Sequence, residues 1–354
     1  MRRTQDLPDK ESATMFFQDC KLARQAQITG ISHSIKEILP PDLLDLTQLQ
    51  KEANIRYGYT ASEVYDIAQS LYEKKLISYP RTSSRYLTED VFDSLSPIMA
   101  RLLSWELFPA AKGTGGIDIS SLSRHVISAE KANVHHAIII TGIRPGNLSE
   151  KEMQVYRLVA GRMLEVFMAP CRIETTNVEA VCAAQHFKAE QTRIIEAGWH
   201  DVFMHSDMVP KSGYSVNELP EVKKGDNLNV CGCNMVHKKE LPVDPFTDAE
   251  LVEYMELNGL GTVSSRTNII RTLVNRKYIR YSGKYIVPTP KGIFTYETIR
   301  GKKIADTSLT ADWEKQLAGL ESGMITGQDF LNRIRTLAKE MTDDIFNTYS
   351  TKEE

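Results

Sequence analysis

The stretch "LISYPRTSSRYL", residues 76–87, puts Tyr79 directly before a proline and sets Arg81 and Arg85 just after it. A phenol titrates near pH 10 and is a poor nucleophile without help. If it attacks a phosphodiester, negative charge builds on the phosphoryl oxygens. A guanidinium answers that charge with two parallel donors. Arg81 follows across a proline that stiffens the turn, and Arg85 is a second candidate. "NVHHAIIITG" adds His135 and His136, which can donate to phosphate or help with proton transfer. The bland alternative is turn chemistry with a packed aromatic, and a His-His pair that sits in a core or on a surface. "CGCNMVH" offers Cys231, Cys233 and His237 as metal ligands. No second ligand cluster accompanies them, and "NLNVCGCNMV" alternates like a strand, so no metal is assigned to this chain.

A second group of residues points to binding. Residues 262–291 hold seven Lys or Arg (Arg266, Arg271, Arg276, Lys277, Arg280, Lys284 and Lys291) and no Asp or Glu. The whole chain has 46 acids against 43 Lys and Arg, a formal net charge of -3. An acid-free window in such a chain suits a phosphate backbone. The competing reading is a helix whose counter-charges come from elsewhere in three dimensions.

These residues need elements to position them. Thr60 and Glu63 have capping-box spacing, and Val64, Ile67, Ala68 and Leu71 recur on one helical face. That helix ends near Lys75, just ahead of Tyr79. Thr88 is placed to cap the next helix, and Ser149 the helix at "EKEMQVYRLVAGRMLEVF". "FTDAELVEYMELNGLG" has a Thr247–Glu250 capping box and a glycine stop at Gly259. "SSRTNIIRTLVNRKYI" follows as a second helix capped by Ser264 or Ser265. "YIRYSGKYIVPT" reads as two short strands joined by Ser-Gly. Helix, tight turn, helix and hairpin is the order of a winged-helix unit.

Upstream, "DKESATMFFQDC" reads as helix, and "ISHSIKEILPP" as a strand stopped at Pro40-Pro41. From Leu46 to about Cys171 the pattern is mostly helical. From Ile173 to about Val236 it is β-rich, with turns at "GW", "SG" and "KKGD". After Pro245 it is helical again, through "LTADWEKQLAGLESG" to a long terminal helix. The expected domains are 1–41 with 173–242 as one β domain, 42–172 as a helical insertion, and 243–354 as a second helical domain. The fold class is mainly α with a β-rich arch domain.

The totals fit a soluble globular protein: 354 residues, 42 % hydrophobic and 25 % charged. No apolar run is long enough to span a membrane, and the start of the chain has no secretory signal. Five scattered cysteines suggest a reducing, cytoplasmic setting.

"LLDLTQLQKEAN", "AQSLYEKKLISYPRTSSRYL", "HHAIII", "GLGTVSSRTNIIRTLVNRKYI", "PTPKGI" and "LTADWEKQLAGLESG" occur in one order. Together they resemble type IA DNA topoisomerases, in the bacterial topoisomerase III branch, over nearly the whole chain. The resemblance implies that Tyr79 is the nucleophile, joined to the 5′ phosphate of a cut single strand. It places Arg81 and His135 on the scissile phosphate, and Ser265, Arg266 and Arg276 on DNA. The implied fold is the family's central region, domains II, III and IV, with winged-helix-like units. The implied partner is single-stranded DNA.

Some positions depart from the family pattern. Ser83 stands where the family's Tyr-Pro-Arg-Thr-Asp-Ser has aspartate, and Ile140 and Val263 replace prolines. The family's Toprim domain carries a catalytic glutamate and the Asp-x-Asp cluster that holds Mg2+, and no Asp-x-Asp-x-x-Gly stretch occurs here. The chain therefore reads as a fragment, or as one part of a split enzyme whose partner chain bears Toprim. The competing function is a noncatalytic single-stranded DNA-binding remnant. A tyrosine recombinase fits less well, because Tyr79 comes early and His135 follows it.

Overall fold

The computed structural model describes residues 1–4, 7, 9–105, 107–108, 124–132, 135–204, 219–236 and 244–350. They group into two compact units. One draws on Met1–Pro41, Phe108–Leu122 and Leu164–Val243; the other draws on Asp42–Leu107, Ser123–Met163 and Asp244–Glu354.

The first unit is a five-stranded antiparallel sheet with a short helical cover. In chain order it holds β1 (Arg2–Arg3), α1 (Lys10–Leu22), β2 (Gln25–Ile38), β3 (Cys171–Cys182), β4 (Gln185–Glu196) and β5 (Asn227–Asn229). The strands lie in the order β1-β4-β3-β2-β5. The hairpin between β3 and β4 turns on Ala183 and Ala184, both at positive φ. One apolar cluster on the sheet joins Ile28, Val178 and Ala180, with Ile31, Leu219, Val222 and Leu228 against them. At the far end of β2 the Trp199 indole donates to the Ile38 carbonyl at 3.0 Å. Gly198 precedes it at φ +55, where a Cβ would lie 2.4 Å from the carbonyls of Ala169 and Pro170. Only glycine fits there.

β2 begins at Gln25, before the stretch the sequence marks as strand, because "RQAQITG" carries polar residues on its exposed face. β5 is only Asn227–Asn229. The alternation of "NLNVCGCNMV" does not continue as strand through Cys231 and Cys233, since no backbone among the described residues pairs with them. The expected "SG" turn and His237 lie outside the described residues.

The second unit holds α2 (Leu46–Tyr57), α3 (Ala61–Glu73), α4 (Glu89–Asp93), α5 (Leu95–Ser104) and most of α6 (Glu150–Glu165). It continues with α8 (Asp248–Leu257), α9 (Val263–Asn275), β6 (Ile279–Ser282), β7 (Tyr285–Pro288), α10 (Pro290–Ile299), α11 (Thr307–Glu321) and α12 (Gly327–Ser350); the short α7 (Asp201–Met204) belongs to the first unit. The capping boxes at Thr60–Glu63 and Thr247–Glu250 form as expected. Val64, Ala68 and Leu71 on α3 are fully buried. Ser149 and Glu152 cap α6 reciprocally.

Three local expectations change. Thr88 stands at the N-cap of α4 but makes no capping bond to its backbone. α9 is capped by Thr262, whose backbone N–H is met by Ser265 Oγ at 2.8 Å, because the helix starts one residue before the serine pair. The β6–β7 turn is Gly283-Lys284, with Gly283 at φ +60, so Ser282 ends the first strand.

A cluster of Ala61, Val252, Met255, Ile270 and Ile286 ties the start of α3 to α8, α9 and β7. Beside it Gln50 donates to the Ala61 carbonyl and to Thr267 Oγ1, both at 2.9 Å. α10 packs its first turn onto Tyr278, where a Cβ on Gly292 would meet the Tyr278 carbonyl at 2.0 Å.

Candidate active site

α3 ends at Glu73, and Lys75 at φ +61 turns the chain out of the helix. The next residues form no helix because Leu76, Ile77 and Ser78 pair with the segment at 139–141. Ser78 N–H donates to the Ile139 carbonyl at 2.8 Å, and Ser78 Oγ donates to the Ala137 carbonyl at 3.1 Å. Thr141 N–H closes onto the Leu76 carbonyl at 3.1 Å. Leu44 adds a third segment: its carbonyl accepts from Ile138 N–H at 2.8 Å, and Leu46 N–H donates to the Thr82 carbonyl at 3.1 Å. Three short extended pieces, near residues 44, 78 and 138, are thus stitched edge to edge. Beneath them lie Leu43, Leu44, Ile77, Ile138 and Ile140, all 1 % exposed or less. Each polar backbone group so used is one that burial would otherwise leave costly.

That stitching fixes Tyr79 and His135. Their rings lie 4.5 Å apart between centroids, and Thr82 Oγ1 donates to the His135 carbonyl at 2.9 Å. Tyr79 is half-buried and His135 exposed. His136, the other sequence candidate, turns its Nδ1 to the Ala137 carbonyl at 2.7 Å.

α3 supplies a stripe that sequence reading missed. Tyr72 meets the Tyr79 ring edge-on with centroids 5.4 Å apart. The Arg81 guanidinium lies over the Tyr65 ring at 5.0 Å and donates from Nη2 to Gln69 Oε1 at 3.3 Å. Its Nε is buried and has no hydrogen-bond partner among the described residues. Tyr65, Gln69 and Tyr72 share one face at helical spacing. The signal was available as that spacing, but a polar stripe on a helix ordinarily means a solvated face.

Arg85 is engaged elsewhere. Its Nε meets Asp45 Oδ2 at 2.7 Å, and Asp45 is 1 % exposed. Asp45 Oδ1 also accepts from Gln48 N–H at 2.7 Å, which caps α2. Arg85 therefore ties the end of the turn to the start of α2. A cleft of about 440 Å³ opens on this side of the turn, lined by Ser83, Ser84, Arg85, Tyr86, Glu130 and Lys131.

The basic window divides in two. Arg266 is 8 % exposed, with Nη1 3.6 Å from Glu256 and 3.5 Å from Thr47 Oγ1. Arg271 meets both carboxylate oxygens of Asp66, at 3.0 and 2.8 Å. Counter-charges from other elements thus reach the first part of α9. Ser265 serves the helix cap. Arg276, Lys277, Arg280, Lys284 and Lys291 stay exposed at the end of α9, on the hairpin and at the start of α10. Two of these sit over aromatic rings: Lys291 on Tyr278 at 4.6 Å and Lys284 on Tyr285 at 5.1 Å.

Among the described residues, no group of three or more His, Cys, Asp or Glu is placed to hold a metal ion. No helix among the described residues is long and apolar enough to cross a membrane.

The family model for "DNA topoisomerase" matches residues 2–332. DNA topoisomerase 3 of Bacillus licheniformis is 31 % identical over 346 residues, covering 91 % of this chain and 47 % of that protein. DNA topoisomerase 3 of Bacillus subtilis is 30 % identical, covering 93 % and 48 %. The chain thus spans about half the length of these curated relatives. Full-length topoisomerase I of Thermotoga maritima has the same fold, with a TM-score of 0.72 at 23 % identity over 95 % of this chain and 56 % of that one. With a family model matched over nearly its whole length, the chain belongs to the DNA topoisomerase family, type IA, and is topoisomerase III-like.

Proposed function

We propose that this chain carries the nucleophile and the DNA-holding surfaces of a type IA topoisomerase. It would cut one strand through a 5′-phosphotyrosine at Tyr79, pass a strand and reseal the break. The observation that carries this reading is the Tyr79–His135–Arg81 arrangement, held on a stitched turn with the two rings 4.5 Å apart. In cleavage the Tyr79 oxygen bonds to phosphorus as the bond to the 3′ oxygen breaks. The charge that develops on the phosphoryl oxygens calls for donors held in place beforehand. Arg81, packed on Tyr65 and braced by Gln69, is such a donor, and its unmatched Nε–H is a group that an anionic oxygen would satisfy. His135 is exposed beside the same tyrosine and can donate to phosphate or to the leaving oxygen.

α8, α9 and the β6–β7 hairpin act in this proposal as a winged-helix-like unit. Its exposed cluster from Arg276 to Lys291 holds single-stranded DNA, with Ser265 and Arg266 shaping the helix start. The β sheet unit is the arch, and the setting is cytoplasmic. Cleavage is incomplete without an acidic metal-binding Toprim domain, which a second chain or a longer polypeptide would supply.

The test is a labelled single-stranded oligonucleotide, incubated with this chain, a Toprim domain added in trans and Mg2+, then run under denaturing conditions. Label should stay with the protein, weakly because Ser83 replaces a carboxylate, and more strongly in Ser83→Asp. Label retained by Tyr79→Phe would remove Tyr79 from the role. No adduct in any variant, with DNA binding intact, would favour the binding-only reading.

A further inference from the structure

Four of the five cysteines gather at one end of the sheet, from three separate parts of the chain. Cys20 lies in the last turn of α1 and is 4 % exposed. Its thiol points at the carbonyl of Cys182, 3.9 Å away. Cys182 closes β3 and is 5 % exposed. Strand register brings in the third segment. Gln27 pairs with Val181 on one side of β2, and Gln25 pairs with Asn229 on the other. Val230 N–H extends that edge by donating to the Arg24 carbonyl at 3.0 Å. Cys231 and Cys233 follow, the first exposed and the second half-buried. The remaining Cys171 pairs with Ile38 at the opposite end of the same strands.

We propose that Cys20, Cys182 and Cys233 form a thiol–disulfide site, closed by a small-molecule disulfide into a Cys20–Cys182 bond. Among the described residues, no three such ligands are placed for a metal ion. Burial, and after it the neighbouring Cys182 and Cys233 thiols, push the Cys20 thiol up to about 11. Cys20 is therefore mostly protonated at neutral pH, so it is not the entry point and its intramolecular attack comes last and slowly. Entry falls to Cys233, which is half-buried where Cys20 and Cys182 are buried. Its thiolate attacks the reagent RSSR, forming Cys233–S–S–R and releasing RSH. Cys182 displaces the second RSH to give Cys182–S–S–Cys233. Cys20 then attacks Cys182, returning Cys233 as a thiol and leaving Cys20–S–S–Cys182. In sum two thiols and one RSSR become one protein disulfide and two RSH. The product staples α1 to the end of β3 across a long loop, and cross-links of that kind stabilise the folded chain.

The experiment uses the full chain with oxidised glutathione, quenched with N-ethylmaleimide, digested and mapped by mass spectrometry. Cys20 and Cys182 peptides should appear joined, two hydrogens lighter, and dithiothreitol should free them. The oxidised chain should melt about 5 °C higher. Cys233→Ser should slow closure about tenfold or more and leave the end product unchanged. Cys182→Ser should abolish the linked peptide; Cys182→Ala repeats this if the serine variant does not fold. Oxidation confined to mixed disulfides on Cys231, or linkage only in urea-unfolded chain, would overturn the site. An unchanged rate in Cys233→Ser would remove Cys233 from it.

Discussion

The turn at Tyr79 and the basic end of α9 use charged side chains in opposite ways. Beside Tyr79 both arginines are braced: Arg81 by Tyr65 and Gln69, Arg85 by the buried Asp45. From Arg276 to Lys291 the cations are exposed, and Arg276 has no ion pair among the described residues. Bond-making needs groups fixed to within fractions of an ångström before the substrate arrives. Holding a polyanion needs only a field, which mobile cations supply by releasing counter-ions. The Arg271–Asp66 pair shows that basic sequence alone does not separate the two uses.

The largest break in this comparison is Tyr79→Phe. It should lower covalent adduct in the trans assay by about a thousandfold or more, with oligonucleotide affinity unchanged. Next is Asp45→Ala, which removes the α2 cap and strands Arg85 half-buried. It should cost about 3–5 kcal/mol in urea unfolding, and Asp45→Asn, which keeps the cap, should cost less. Arg276→Ala should weaken single-stranded DNA binding about fivefold and lower the slope of log K against log salt by about 1. Arg271→Ala should lower stability by about 0.5–1 kcal/mol and leave that slope alone. Equal slopes in the two variants would erase the division of the basic window.

The smallest effects are in pH. Glu152 is held at about 2 by the Lys74 ammonium, then by Ser70 and the Ser149 backbone. Its folded value is below its unfolded one, so its contribution is present above about pH 4.5 and lost as pH falls toward 2. Asp248 goes the other way. Burial pushes its carboxyl up, against hydrogen bonds from Tyr281 and the Ala61 backbone. Its contribution is full below its unfolded value and lost as pH rises through the raised folded one. Glu152→Gln should flatten the acid limb of stability, and Asp248→Asn should flatten the opposing trend; the check is urea midpoints from pH 3 to 7.

Local signals carried the helices. Capping spacing at Thr60 and Thr247 and the apolar stripe Val64–Ala68–Leu71 state their own structure, because a helix is closed within itself. What remained hidden depended on partners distant in the chain. Asp66 and Glu256 neutralise part of an apparently acid-free helix, and Asp45 claims Arg85. The strand state of Cys231 and Cys233 failed for the converse reason, since alternation without a pairing neighbour makes no strand.

The stitched turn also sets an order of assembly. Its bonds join residues near 44, 78 and 138, so no short contiguous piece of the chain contains them. Such contacts repay their loop-closure entropy late, after the helices between them have docked. The amides of Ser78, Ile138 and Thr141 should then exchange with solvent only through the rarest openings, on a par with the core of α3. A growing or half-folded chain carries Tyr79 without His135 beside it, and on the proposed function it would stay unarmed until the unit is whole.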